Sequence, residues 1–291
     1  MLPALYSSAK AVGEYDGIKV VTGAIDQIAG AIGAGVISQG TVSVMTGTTM
    51  VIFTPYNSVP AFDPASIVPC HYNYDGKYCL LSWTPAAGLA LKWFKNGFCA
   101  DLSFREMDEI AQKAGIGAEG LIFLPYLCGS TMPKYSPKAT GSFLGLTLSH
   151  TRAHMARAIL ESVACMLKSN IDYLQITADE IRATGGGASS PLWCQIKADM
   201  TGKKITTLEN AESACLGSAI FAGVGIGAFN SVESATEKQD EKTGTDFASN
   251  GDADGVLHAF ETQSTGYYHS VKRELDELMQ SYPKDDTLKE A

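Results

Sequence analysis

Between Lys19 and Asp63 only one residue, Asp26, carries a charge. That stretch opens on a β-branched run, Ile18 to Val21, which reads as a buried strand and ends at Thr22-Gly23. Asp26 then opens a helix of small residues reaching about residue 37. Two apolar runs follow, Val42 to Met45 and Met50 to Phe53, flanking Thr46-Gly47-Thr48-Thr49. The pattern predicts a hairpin over 41–54 whose tip is glycine and hydroxyls. Such a tip offers backbone N–H groups with little bulk, which suits a phosphate. A carboxylate near a phosphate cradle is what phosphoryl transfer needs. The plainer alternatives are that the tip is an ordinary turn and that Asp26 favours the helix start through the dipole alone.

Composition narrows the classes. The chain is 45% hydrophobic and 18% charged, so a packed core is expected. Net charge is −9, which argues against nucleic acid or an anionic membrane as partner. The seven cysteines contain no Cys-x-x-Cys pair, so metal-cluster spacing is absent. They read as reduced thiols in a cytoplasmic protein. Met1 to Tyr6 lacks the basic and apolar regions of a signal peptide, and no apolar run is long enough for a membrane span.

Along the chain, strand and helix patterns alternate, which defines an α/β protein. Residues 1–16 show no periodicity, and Pro55 to Pro69 reads as a loop. Strands are expected at Lys77–Ser82, Leu121–Leu127, Ser142–Leu148, Glu180–Thr184 and Lys204–Leu208. Helices are expected at Pro85–Asn96, Ser103–Ala114, Ser149–Tyr173, Pro191–Met200, Ser213–Phe229 and Val256–Tyr282. Ser103 and Glu106 have capping-box spacing. The Ala- and Gly-rich helix from Ser213 should pack tightly against another element. Ser231 to Asp254 reads as a solvated loop.

Two further motifs carry chemistry. Glu180-Ile-Arg-Ala-Thr runs into Gly185-Gly186-Gly187 and then a helix, so backbone can approach a ligand closely beside a helix N-terminus. It is neither a Gly-x-Gly-x-x-Gly fingerprint nor a Walker loop, and a tight strand-to-helix turn is the alternative reading. His150 and His154 stand four apart, without the Glu-x-x-His arrangement of metal motifs, so no protein-held metal is expected. Arg152 and Arg157 sit unfavourably early in their helix and should each have a specific partner; Glu161 is four residues beyond Arg157.

These stretches together resemble the FGGY carbohydrate kinases, the family of xylulokinase, glycerol kinase and ribulokinase. Gly141-x-Phe143-x-Gly145-Leu146, seven residues, then His154-Met155-x-x-Ala158-Ile159-Leu160-Glu161 matches the family's C-terminal signature at every constrained position. The Asp26-Gln27 segment resembles the catalytic aspartate segment, Thr46-Gly47-Thr48 the second phosphate motif, and Gly185 to Trp193 the adenosine motif. Leu124-Pro125-Tyr126-Leu127 with Gly129 and Pro133 is also similar, and the likeness covers residues 3–230. Two departures stand out: Ser130-Thr131 where many relatives have Glu-Arg, and Lys92 where glycerol kinases have a glutamine near the nucleotide.

The resemblance implies an actin-like (ribonuclease H-like) lobe. Residues 1–40 would be a remnant of the N-terminal lobe and 41–291 the C-terminal nucleotide-binding lobe. It implies ATP-dependent phosphorylation of a sugar or polyol hydroxyl, a xylulose-like ketose favoured, with Mg²⁺. Asp26 would be the base, and Asp26 and Gln27 would meet the substrate. Gly47 and Thr48 would hold phosphates, Gly88 and Lys92 would lie along the nucleotide, and Gly186, Gly187 and Ser190 would line the adenosine pocket. The chain would be an incomplete, self-associating piece, inactive unless the missing lobe or another copy completes it. The alternatives are a non-catalytic actin-like nucleotide-binding module and another actin-like ATPase.

Overall fold

The computed structural model describes residues 6–59, 68–132, 135–209, 212–237, 243–251 and 253–262. The chain opens on an antiparallel ribbon, β1 (Ala11–Tyr15) and β2 (Ile18–Val21). Helix α1 (Asp26–Gly33) follows, then β3 (Val42–Thr46), β4 (Met50–Tyr56), β5 (Cys70–Tyr72) and β6 (Tyr78–Thr84). Next come α2 (Gly88–Phe98), α3 (Phe104–Lys113), β7 (Ile122–Leu124), β8 (Ser142–Leu144) and α4 (Arg152–Tyr173). The remainder is β9 (Glu180–Thr184), α5 (Pro191–Thr201), β10 (Lys204–Leu208), α6 (Ser213–Gly225), α7 (Val232–Glu237) and β11 (Thr243–Phe247).

The main sheet has seven strands in the order β11-β10-β9-β3-β4-β6-β5. β3, β9 and β10 are parallel neighbours, while β3-β4, β4-β6, β6-β5 and β10-β11 are antiparallel. This mixed sheet is that of an actin-like lobe. Strand alternation feeds two cores, one on each face. Met50 and Ile52 face a core shared with Ile159, Val163 and Leu167 of α4 and Ile196 of α5. Val51 and Phe53 face the other, with Ile28 and Ile32 of α1 and Ile220 and Phe221 of α6.

The tight packing expected of the Ala/Gly helix is with α1. A Cβ on Gly217 would stand 1.8 Å from the Ala29 carbonyl oxygen, and one on Gly33 would stand 1.9 Å from that of Ser213. The two helices therefore touch backbone to backbone. Gly217→Ala has no rotamer escape, because the obstacle is main chain. We expect it to cost about 3 kcal/mol, the upper end for an overpacked core, read as a lowered denaturant midpoint with an unchanged slope.

Four expectations need correction. β2 is not buried: Ile18 is 70% and Val20 44% exposed, because β2 pairs only with β1, in residues that showed no period. Pro55 lies in β4, not a loop; β3 stops pairing at Phe53, so the proline's missing N–H falls on an unpaired side. Ser231 to Asp254 is not one solvated loop. It contains α7, which buries Val232 and Ala235, and β11, where the Thr206 hydroxyl donates to Asp246 at 2.8 Å. The strand expected over Ser142–Leu148 ends at Leu144, before Gly145 at φ +86° and fully exposed Leu148. Pro133, residues 60–67 and the part of the last expected helix beyond residue 262 lie outside the described residues. Among the described residues, no helix is long and apolar enough to cross a membrane.

Candidate nucleotide cleft

The β3–β4 hairpin forms as expected, with Gly47-Thr48-Thr49 at its tip. The tip is tied down by α2. Gly88 N donates to the Gly47 carbonyl at 3.0 Å, and Ala87 N and Leu89 N donate to the Thr48 carbonyl at 3.1 and 3.0 Å. Those bonds satisfy the start of a helix with no side-chain cap. Planar trans peptides then turn the Thr48 and Thr49 N–H groups to the opposite side of the tip. Gly88 has to be glycine: a Cβ there would meet the Gly47 oxygen at 2.2 Å.

The second wall is Gly185-Gly186-Gly187. Gly185 has φ +75°, and Gly187 packs so closely on Thr46 that a Cβ would meet its methyl carbon at 2.7 Å. Gly186 has nothing within 4 Å of its Cβ direction, which leaves space in front of the loop. Ser190 then caps α5, its hydroxyl oxygen accepting from Trp193 N at 3.0 Å, with Pro191 at the first helical position.

Between these walls lies a cleft of about 640 Å³, well within the size of small-molecule sites. Gly47, Thr48, Gly88, Lys92, Gly186, Gly187 and Ser190 all line it. Stretches remote in sequence thus converge on one site. Asp26 and Gln27 do not line it. Asp26 stands exposed at the first position of α1, where its Oδ1 accepts from Gln27 N at 3.0 Å.

Sequence reading named Thr46 only as the start of the Thr46-Gly47-Thr48 motif and missed Phe104, Arg105 and Asp108, all of which line the cleft. Three are on the outer turns of α3, whose capping box forms as expected. Their i, i+1, i+4 spacing was the available signal. Burial raises the Asp108 carboxyl above its ordinary value, while a hydrogen bond from Ser190 works the other way.

The signature stretch has its own work. Arg152 pairs with Asp101 at 2.9 Å and Arg157 with Glu161 at 2.6 Å, so both expected partnerships form. His154 accepts from Thr151 N at 3.1 Å in a capping box, and His150 accepts from Thr147 N at 2.9 Å. At the departure after Gly129, the Thr131 hydroxyl donates to the Trp83 carbonyl at 2.5 Å, tying that loop to β6.

Comparison with known proteins agrees with this architecture. The profile of the C-terminal domain of the FGGY family of carbohydrate kinases matches residues 42–226, and the chain belongs to that family. It is 35% identical over 235 residues to the xylulose kinase of Staphylococcus epidermidis, covering 79% of this chain and 47% of that protein. It is 30% identical over 231 residues to the gluconokinase of Bacillus subtilis, covering 75% and 45%. The crystal structure of xylulose kinase from Rhodospirillum rubrum superposes with a TM-score of 0.79 at 27% identity, over 93% of this chain and 57% of that one. The chain spans about half the length of the curated relatives it matches.

Proposed function

We propose that the cleft binds ATP and that the chain serves ATP-dependent phosphorylation of a sugar or polyol hydroxyl, a xylulose-like ketose favoured. The observation that carries this reading is the convergence of the hairpin tip, the start of α2 and the glycine loop on one cleft. Family membership supports it, and the relatives named xylulose kinase support the choice of sugar. In this reading Gly47 and Thr48 contact the terminal phosphates, Gly88 and Lys92 lie along the nucleotide, and Gly186, Gly187 and Ser190 face the adenosine. Lys92 adds a point charge where a phosphate chain passes.

The donor set fits Mg²⁺ carried by the phosphates. Asp108 is the one carboxylate among the described lining residues, and it bonds Ser190, so the cleft offers no protein cage. When bound, the ion supplies charge neutralisation. Asp26 accepts the substrate hydroxyl proton, with Gln27 beside the sugar. Because Asp26 does not line the cleft, this step draws on residues 1–40 as the end of a preceding lobe, with 41–291 as the nucleotide-binding lobe. The start of the family match at residue 42 supports that division. Exposed Val12, Tyr15, Ile18 and Val20 on the ribbon support a covering lobe or a second copy of the chain. A cytoplasmic location belongs to the same reading, supported by seven free thiols.

A second reading, nucleotide binding without transfer by this chain alone, is favoured by the separation of Asp26 from the cleft. Calorimetric titration of Mg-ADP tests the feature common to both. We expect micromolar to low-millimolar affinity in the wild type. Gly186→Val should abolish binding while circular dichroism stays unchanged, because its side chain enters open space. Gly187→Val is a poorer probe, since its side chain would collide with Thr46. Wild-type binding that survives Gly186→Val at full strength would move the nucleotide elsewhere.

A further inference from the structure

Lys197 is a lysine with no exposure at all, on the inner side of α5 behind the cleft. Its Nζ donates to the Thr46 Oγ1 at 2.9 Å and stands 4.6 Å from the centre of the Trp193 ring. It also lies 3.3 Å from where a Gly187 Cβ would be. Trp193, Thr46 and Gly187 all line the cleft. Among the described residues no carboxylate pairs with it.

A buried ammonium without a counter-charge is costly, and the cation–π contact and one hydroxyl offset only part of that cost. Packing alone would be served better by methionine or leucine. Burial lowers the Lys197 pKa to about 8, while the Thr46 hydroxyl oxygen and the Trp193 ring face the ammonium and favour its charged form. Of the titratable groups on elements packed against α5, only Cys194 on α5 itself bears on it, a thiol that burial keeps protonated. Asp108 on α3, Glu161 and Cys165 on α4, and Asp246 on β11 do not.

Thr46 links this charge to the cleft. Its oxygen accepts from the ammonium, so its own hydroxyl proton must point elsewhere. Among the described residues that proton has no acceptor. Thr46 directly precedes Gly47, and a hydroxyl polarised by a cation is a stronger donor. We infer that Lys197 is a positioning residue that, through Thr46, places buried positive charge under the phosphate end of the cleft and selects anionic nucleotides over nucleosides.

This inference rests on the nucleotide reading of the cleft. The test is calorimetric titration of adenosine and Mg-ADP into the full chain and into Lys197→Met, Thr46→Val and Thr46→Ser. A single charge acting through low dielectric should make Lys197→Met lose on the order of tenfold in ADP affinity, with adenosine affinity unchanged. Thr46→Val should lose in the same direction, and Thr46→Ser should retain wild-type affinity. If Lys197→Met does not fold, the Thr46→Val and Thr46→Ser pair decides. ADP affinity within twofold of wild type in Lys197→Met, or equal losses for adenosine and ADP, would overturn the inference and leave the nucleotide reading intact. A wild type that binds neither ligand would overturn both.

Discussion

In a two-lobed enzyme containing this segment, Asp26→Asn is expected to lose roughly 10²–10⁴-fold in turnover, the range for removal of a general base. ADP affinity should stay within twofold. The split follows from position. Asp26 stands exposed at the start of α1, and the cleft is lined without it. Asparagine keeps an acceptor for the Gln27 N–H, so the helix start survives the change. In the proposed role, what it loses is the capacity to take a proton from the attacking hydroxyl. The prediction rests on Asp26 being the single acid between Lys19 and Asp63, in a segment just before the family match begins at residue 42. Steady-state kinetics with several ketoses, alongside calorimetric ADP titration, provides both readouts. Turnover within tenfold of wild type would remove Asp26 from the role of base. A parallel loss of ADP affinity would show instead that α1 had been displaced.

How much of this could be read from residues alone depended on whether each element is specified by itself or by its neighbours. β9 and β10 lie where their patterns placed them, because Ile181, Ala183 and Ile205 are buried apolar residues in short strands bounded by glycine or polar turns. The capping box at Ser103 and the Arg157–Glu161 pair were legible because both are contacts along one helix. β1, β5 and β11 were not. β5 is three residues long, and polar β11 joins β10 from a distant part of the chain, so its pairing is visible only in three dimensions. The cleft was half legible. Glycines announce close backbone approach, and those at 47, 88, 186 and 187 meet there. Lys197 left a fainter mark, one charge at a position where the spacing of Trp193, Ile196 and Met200 calls for an apolar side chain.

The other large effect is expected at Arg157. Its side chain is 8% exposed and that of Glu161 3%, so the pair is deep in the protein. The Glu161 Oε1 accepts from Arg157 Nε at 2.6 Å and from Gly117 N at 2.9 Å. The second bond pins a loop in which Ala118 and Glu119 hold left-handed φ of 46° and 54°, strained for residues with a Cβ. Arg157→Met keeps the bulk and removes the cation, leaving a buried carboxylate uncompensated. We expect a loss of about 3–5 kcal/mol at pH 8 by denaturant unfolding. Desolvation already raises the Glu161 pKa above its ordinary value in spite of Arg157 and Gly117, whose effects lower it. Removing Arg157 raises it further. A carboxyl with a raised folded-state pKa contributes stability that is fully present below its unfolded value of 4.5 and is lost as pH rises through the folded value. The deficit of Arg157→Met should therefore shrink as pH falls from 8 toward 5, the direction in which Glu161 gains a proton while still accepting from Gly117. A deficit of equal size at both pH values would assign the loss to packing. Slowed amide exchange at Gly117 in the variant on acidification, beyond the ordinary pH dependence of exchange, would report the same proton at the loop that Glu161 holds.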